Sequence, residues 1–197
     1  MKKNLVVLLI ALAIVTLVVG CKDPEVNYEV GGKGPAGGYI FYDCDADNTE
    51  DGGAGKDGLK SSECGWRFLE AAPEDLSRTY TWGPNDQTTY GTKTGIGEGQ
   101  ENTNILKTSG IEKFPAAKAC TEYRGGGFTD WFLPSLDEVK AMYTNLTKEG
   151  KGTWQERYWS SSEYTSNTGK SYYVYNGAEL DYSRIVEYYV RPVRAFK

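Results

Sequence analysis

Glycine punctuates this chain in clusters, GGKGPAGG at 31–38, DGGAGKDG at 51–58, GIGEG at 95–99 and GGG at 125–127, and 24 glycines in 197 residues require many turns. Regular elements must fit between them. Tyr39-Ile40-Phe41-Tyr42 is a β-branched and aromatic run bounded by glycine, which reads as a strand. Near the other end, YWSSS, SYYVYN and EYYVRPVRAF are separated by SNTGK and NGAELDYS, and an antiparallel ribbon is the economical arrangement. Asn176-Gly177 supplies its strongest turn signal. Two helices are predicted between these regions. The first opens at Pro115, carries Ala116, Ala119, Cys120 and Tyr123 on one stripe, and stops at Gly125–Gly127. The second opens on a capping box of Ser135 and Glu138 and aligns Leu136, Val139, Tyr143 and Leu146, with Met142 beside them. Trp131, Phe132 and Leu133 form a buried connector between the two. The stretch from Thr79 to Gln100 is rich in threonine and glycine and reads as long loops pinned by Trp82. The expected fold class is α+β.

The first residues set the compartment. Lys2 and Lys3 precede an uncharged apolar run from Leu5 to Val19, shorter than the roughly 20 residues a membrane-spanning helix needs, which is the pattern of an export signal. Val18-Val19-Gly20-Cys21 resembles the lipobox of bacterial lipoproteins, in which the thiol is acylated and becomes the new first residue. The expected organisation is a signal peptide over 1–20, a tether over 21–30 and one domain over 31–197. The place is the bacterial cell envelope, at the outer membrane or cell surface. Several acyl chains on Cys21, each adding about 0.8 kcal/mol per buried methylene, would make the anchor permanent.

Between Cys44 and Cys64 lies CDADNTEDGGAGKDGLKSSEC, with too few apolar residues to fold by burial. Export permits a disulfide, and closing a loop of this length removes roughly 3 kcal/mol of unfolded-state freedom on the chain-entropy account, so a Cys44–Cys64 bridge is expected. Carboxylates crowded here must either be solvated or gather on a cation. Calcium is the candidate, with Asp43, Asp45, Asp47 and Asp51 as its ligands. An EF-hand is excluded, because Asn48 stands where the loop requires glycine and Ala54 where it requires a bidentate glutamate.

Much chemistry is absent. The chain has no histidine, which removes Ser-His-Asp and Cys-His catalysis and imidazole-based zinc sites. Ser160, Ser161 and Ser162 lack a base and lie in neither a G-x-S-x-G nor an S-x-x-K context, so they are read as packing and hydrogen-bonding groups of a strand. Cys120 sits on the inner stripe of its helix and reads as a core residue. Gly95-x-Gly97-x-Gly99 follows no apolar strand and makes no dinucleotide fingerprint. Without Lys2 and Lys3 the net charge of −5 becomes about −7, which leaves no basic footprint for a nucleic acid.

Taken in order, GPAGGYIFYD, GWRFLEAAPEDL, IGEGQENTNI, AAKAC, GGFTDWFLPSLDEVKAMYTNL, YWSSSEY and YVRPVRAF resemble the Lcl C-terminal domain family of bacterial exported and surface proteins. The resemblance covers nearly all of 31–197 and implies a C-type-lectin-like domain, with two helices packed on small antiparallel sheets and long Gly-rich loops. The acidic segment between Tyr42 and Gly65 departs from it, since shorter members have only a brief turn there. The resemblance implies a noncatalytic binding domain on the cell envelope. With 15 tyrosines, more than a core needs, some aromatic surface should meet a ligand. Glu163, Asn176, Glu179, Asp181 and Tyr182, in the C-terminal loops, are the candidate contacts for a glycan or another extracellular ligand in adhesion. Two other readings stay open: an envelope assembly component that binds a protein, and a glycoside hydrolase working with carboxylates alone.

Overall fold

A computed structural model of the protein describes residues 27–46, 60–86, 88–164 and 170–197, with backbone alone at Cys64 and 170–174. The signal segment, Cys21, Asp47 and Asp51 lie outside the described residues. Three small antiparallel sheets carry the fold. In the first, β1 (Tyr39–Asp43) pairs with β2 (Phe68–Ala71), and β2 pairs with the last strand, β8 (Val193–Phe196). The second joins β3 (Tyr80–Thr81) to β7 (Glu187–Tyr188). The third is β4 (Arg157–Glu163), β5 (Lys170–Tyr175) and β6 (Ala178–Ser183) in sequence order. Helices α1 (Ser61–Cys64), α2 (Gly99–Thr108), α3 (Pro115–Glu122) and α4 (Leu136–Lys148) complete a mixed α+β architecture.

The apolar runs divide into two main cores. Phe41, Leu69, Phe132, Val139, Met142 and Leu146 pack α4 against the first sheet and Tyr158 of β4. Trp82, Leu106, Phe114, Cys120, Leu133 and Trp159 form the second, under α2 and α3. Cys120 is thus a core thiol, and complete burial pushes its pKa well up, as its position on the inner stripe implied. The connector bridges both, with Phe132 in one cluster and Leu133 in the other.

Helix boundaries follow local chemistry. Pro115 occupies the first turn of α3, where its missing N–H costs nothing. At α4 the Ser135 Oγ accepts from Glu138 N, and Glu138 returns an acceptor to Ser135 N, the reciprocal cap foreseen from Ser-x-x-Glu. Asn176 and Gly177 have φ of 47° and 84°, the left-handed pair a two-residue hairpin turn demands. Helix α2 departs from expectation, since the sequence predicts long loops up to Gln100 and its first helix only at Pro115. Its inner face is Gly99, Asn102, Thr103 and Leu106, so the helical period is written in polar residues. They are satisfied tertiarily: Asn102 Nδ2 donates to Lys93 O at 2.7 Å and to Ser161 Oγ at 3.0 Å.

Residues just before Gly31 also touch the domain: Tyr28 packs edge-on against Phe196 and Phe68, with ring centroids 5.0 and 5.8 Å apart, and Val30 lies on the first core.

What organises the loops is a set of buried glutamates. A glycine-rich loop lacks strand partners for its amides, and a buried N–H without an acceptor costs about 1–3 kcal/mol. Glu70 of β2 accepts from Ala36 N and Gly38 N and pairs with Arg194 of β8 at 3.1 Å. Glu138 of α4 accepts from Gly97 N at 2.9 Å, Gly99 N at 3.3 Å and Ser135 N at 2.8 Å. A methyl group on Gly99 would overlap the Glu138 carboxylate, so the close approach itself requires glycine.

Burial raises the pKa of Glu138 from 4.5 to about 7, against the pull of its backbone donors. Between those values the folded state holds a proton that the unfolded chain has released. The contribution of Glu138 to stability is therefore greatest at the acid end of that window and is lost as pH rises to about 7. Asp75, also raised by burial, adds a contribution of the same sign. Chemical unfolding of the wild type and of Glu138→Gln should show it. The stability difference between them should change with pH by up to roughly 1.4 kcal/mol per unit across the window and flatten above it. A constant difference would contradict this assignment.

Candidate ligand-binding surfaces

The serines of β4 are a structural knot. Ser160, Ser161 and Ser162 are completely buried. Ser162 Oγ donates to Lys93 O at 2.7 Å and accepts from Leu136 N at 3.0 Å, while Ser161 N donates to Pro134 O at 2.7 Å. Trp82 Nε1 donates to Ser160 O at 2.8 Å. Small hydroxyls let the loop at 93, the caps of α4 and the Trp82 ring converge on one strand.

Glu163, proposed above as a ligand contact, is instead a pin. Its carboxylate accepts from Tyr90 N at 2.9 Å, Gly91 N at 2.8 Å and Thr92 N at 3.2 Å. Arg184 closes the cluster, with Nη2 2.8 Å from Glu163 Oε1 and Nη1 donating to Thr88 O at 3.0 Å. The Arg184 guanidinium also lies 4.6 Å from the Trp82 ring centroid. A strand-end carboxylate thereby fixes the 88–92 loop and the β6–β7 turn together. Arg184 escaped sequence reasoning, and no local pattern could have shown that its partner is Glu163.

The remaining predicted contacts do not share one surface. Strand alternation separates them: Glu179 and Asp181 point to one side of β6, and Leu180 and Tyr182 to the other. Glu179 binds Lys140 of α4 at 2.8 Å, whereas the Tyr182 ring lies 6.5 Å from that of Tyr188. Asn176 stands exposed at the hairpin turn.

The acidic segment is only partly described. Asp43 makes a forked pair with Arg67, both contacts at 3.1 Å, and Asp45 accepts from Ser61 N at 2.9 Å and Ser61 Oγ at 2.6 Å. The Ser61 bonds lower the Asp45 pKa. A calcium ion at these carboxylates would have to displace Arg67 and Ser61, so Asp43 and Asp45 are poor ligands in this arrangement. Among the described residues no cluster of three or more His, Cys, Asp or Glu is placed to hold a metal. Cys44 is buried at the end of β1, and Cys64 closes α1 with its side chain outside the described residues, so the expected bridge falls there too.

Two clefts flank the β3–β7 ribbon. One, about 430 Å³, runs along Arg157, Val186, Tyr188 and Tyr189. The other, about 460 Å³, lies over α3, with Leu76, Pro115 and Ala119 as its apolar floor and Tyr80 and Tyr123 as aromatic walls. Its rim alternates in charge: Lys118 Nζ lies 2.6 Å from Glu112 and 3.7 Å from Glu122, and Arg78 stacks 5.0 Å from the Tyr80 centroid. One tyrosine is tied at its backbone and the other is backed by a second ring. The Tyr80 carbonyl accepts from Trp159 Nε1 at 3.0 Å, and the Tyr123 ring meets Trp131 edge-on at 5.0 Å. The cleft was not apparent in sequence, because it joins two separated segments, 76–80 and 112–123. No protein-family model matches the chain, and no curated protein matches it.

The pin is testable without a ligand. Glu163→Gln leaves buried Arg184 with the longer and half-exposed contact to Asp86, at 3.6 Å, as its counter-charge, and should cost about 3 kcal/mol in urea unfolding, the low end for breaking a buried pair. A loss below about 1 kcal/mol would mean that the pair does not hold the loop.

Proposed function

We propose that this is a lipid-anchored protein of the bacterial envelope, at the outer membrane or cell surface, whose C-type-lectin-like domain binds a glycan without transforming it. The carrying observation is the 460 Å³ cleft. Pyranose rings present apolar faces that stack on aromatic side chains, while their hydroxyls exchange hydrogen bonds with carboxylates and cationic donors. Tyr80 and Tyr123 supply the faces, and Glu112, Glu122, Lys118 and Arg78 supply the polar partners, in a volume within the usual range for ligand sites. Backing of the Tyr123 ring by Trp131 reduces the entropy lost on binding. The resemblance to the Lcl C-terminal domain family and the lipobox at Cys21 support the same reading.

The hydrolase reading loses ground at Glu163, the one glutamate of β4 among the predicted contacts. Glu163 is buried against Arg184 and three loop amides, and its carboxylate has no open approach for a glycosidic oxygen. An envelope assembly role is favoured by a separate observation, the open edge of β6, taken up below.

The test uses the full chain with Cys21→Ser, which should move the protein from the detergent to the aqueous phase when membranes are partitioned. On a broad glycan panel this protein should bind a subset of sugars. Ala119→Trp, which fills the cleft floor, should weaken that binding more than tenfold with an unchanged circular dichroism spectrum. Unchanged sugar binding by Ala119→Trp, or silence across the panel, would overturn the reading.

A further inference from the structure

The third sheet is closed on one side and open on the other. On the outer side of β4, Trp159 N donates to Tyr189 O at 3.0 Å, Tyr189 N to Arg157 O at 3.1 Å, and Ser161 N to Pro134 O at 2.7 Å. On the far side, β6 pairs inward with β5 from Ala178 to Ser183, and no strand lies beyond it among the described residues. An edge of this kind offers a row of backbone donors and acceptors to another chain, and proteins ordinarily blunt it.

This edge is apolar on one side. The exposed large hydrophobic residues among the described residues are Leu180, Tyr182 and Ile185, at 44%, 50% and 56% exposure, all on β6 or the turn that follows it. The strand is held rigidly at both ends, by the Asn176-Gly177 turn and by buried Arg184 on Glu163. Its other face carries Glu179 and Asp181, an acidic pair on one side of the edge strand. Both are engaged within the chain, Glu179 by Lys140 in a pair 37% and 51% exposed, the sort of surface ion pair that contributes little and exchanges readily.

We propose that β6 captures an extended segment of a partner protein as an additional strand, and that this segment alternates apolar with basic side chains. The apolar set would lie beside Leu180 and Tyr182, and the basic set beside Glu179 and Asp181. Backbone pairing supplies affinity and the alternation supplies selectivity. A second copy of this chain fits poorly. Antiparallel self-pairing centred on Leu180 sets Glu179 opposite Asp181, and parallel pairing in register sets each acid beside itself; like charges so placed are destabilising. This surface is separate from the α3 cleft and does not depend on it.

The probe is a synthetic ten-residue peptide alternating valine and lysine, added to the full chain carrying Cys21→Ser at low salt. Hydrogen exchange should slow at least tenfold for amides within Ala178–Ser183. The same peptide N-methylated at every second amide should lose binding, and so should one with glutamate in place of lysine. Leu180→Lys, at an exposed position, should weaken binding more than tenfold, whereas Ala119→Trp should leave it unchanged, which separates this surface from the glycan cleft. Absence of protection in β6, equal binding of the N-methylated peptide, or a dimer of the chain with β6 protected would each overturn the proposal.

Discussion

A carboxylate buried beneath a loop and accepting several of its amide protons recurs in this domain, and the loops depend on it. Glu70 holds 36–38, Glu138 holds 97–99, and Glu163 holds 90–92. Each projects from a regular element into a segment that has no strand partner. Burying the charge is costly, and the three sites meet that cost differently. Arg194 neutralises Glu70 and Arg184 neutralises Glu163, whereas the acceptor bonds of Glu138 all come from backbone donors. Burial raises its pKa against the pull of those donors.

The two arginine-backed pins also join distant parts of the chain. Arg194 bonds Glu70 and Asp130 together, tying the last strand to β2 and to the connector before α4. Arg184 ties the 88–92 loop to the turn that ends β6. Between these fixed points lies the β3–β7 ribbon with a cleft on either side, and β6 runs out from the Arg184 pin as an open edge. The proposed recognition surfaces therefore stand on elements whose positions are set by buried electrostatics, which would suit binding with little reorganisation.

Sequence reasoning reached the features governed by neighbours along the chain. Pro115, the Ser135–Glu138 box, the Asn176-Gly177 turn and the buried Trp131-Phe132-Leu133 connector all follow from local sterics and hydrogen bonding, and the structure has each of them. Helix α2 was hidden because its inner face relies on Asn102 and Thr103, whose partners at Lys93, Leu133 and Ser161 lie elsewhere in sequence. Glu163 looked like a rim residue for the same reason, its partners being 71–73 and 21 positions away. The division of Glu179 and Asp181 from Tyr182 was legible in principle, since a strand period of two already places them on opposite faces. The α3 cleft was not, because tertiary packing alone brings Leu76 to Tyr80 beside Pro115 to Tyr123.

The carboxylate-held loops can be judged by residue-resolved amide exchange on the wild-type chain at neutral pH. Ala36, Gly38, Tyr90, Gly91, Gly97 and Gly99 should exchange as slowly as the amides of β2 and β4, although they lie outside every sheet. Rapid exchange at these positions, with the strands protected, would show that the glutamates do not hold the loops.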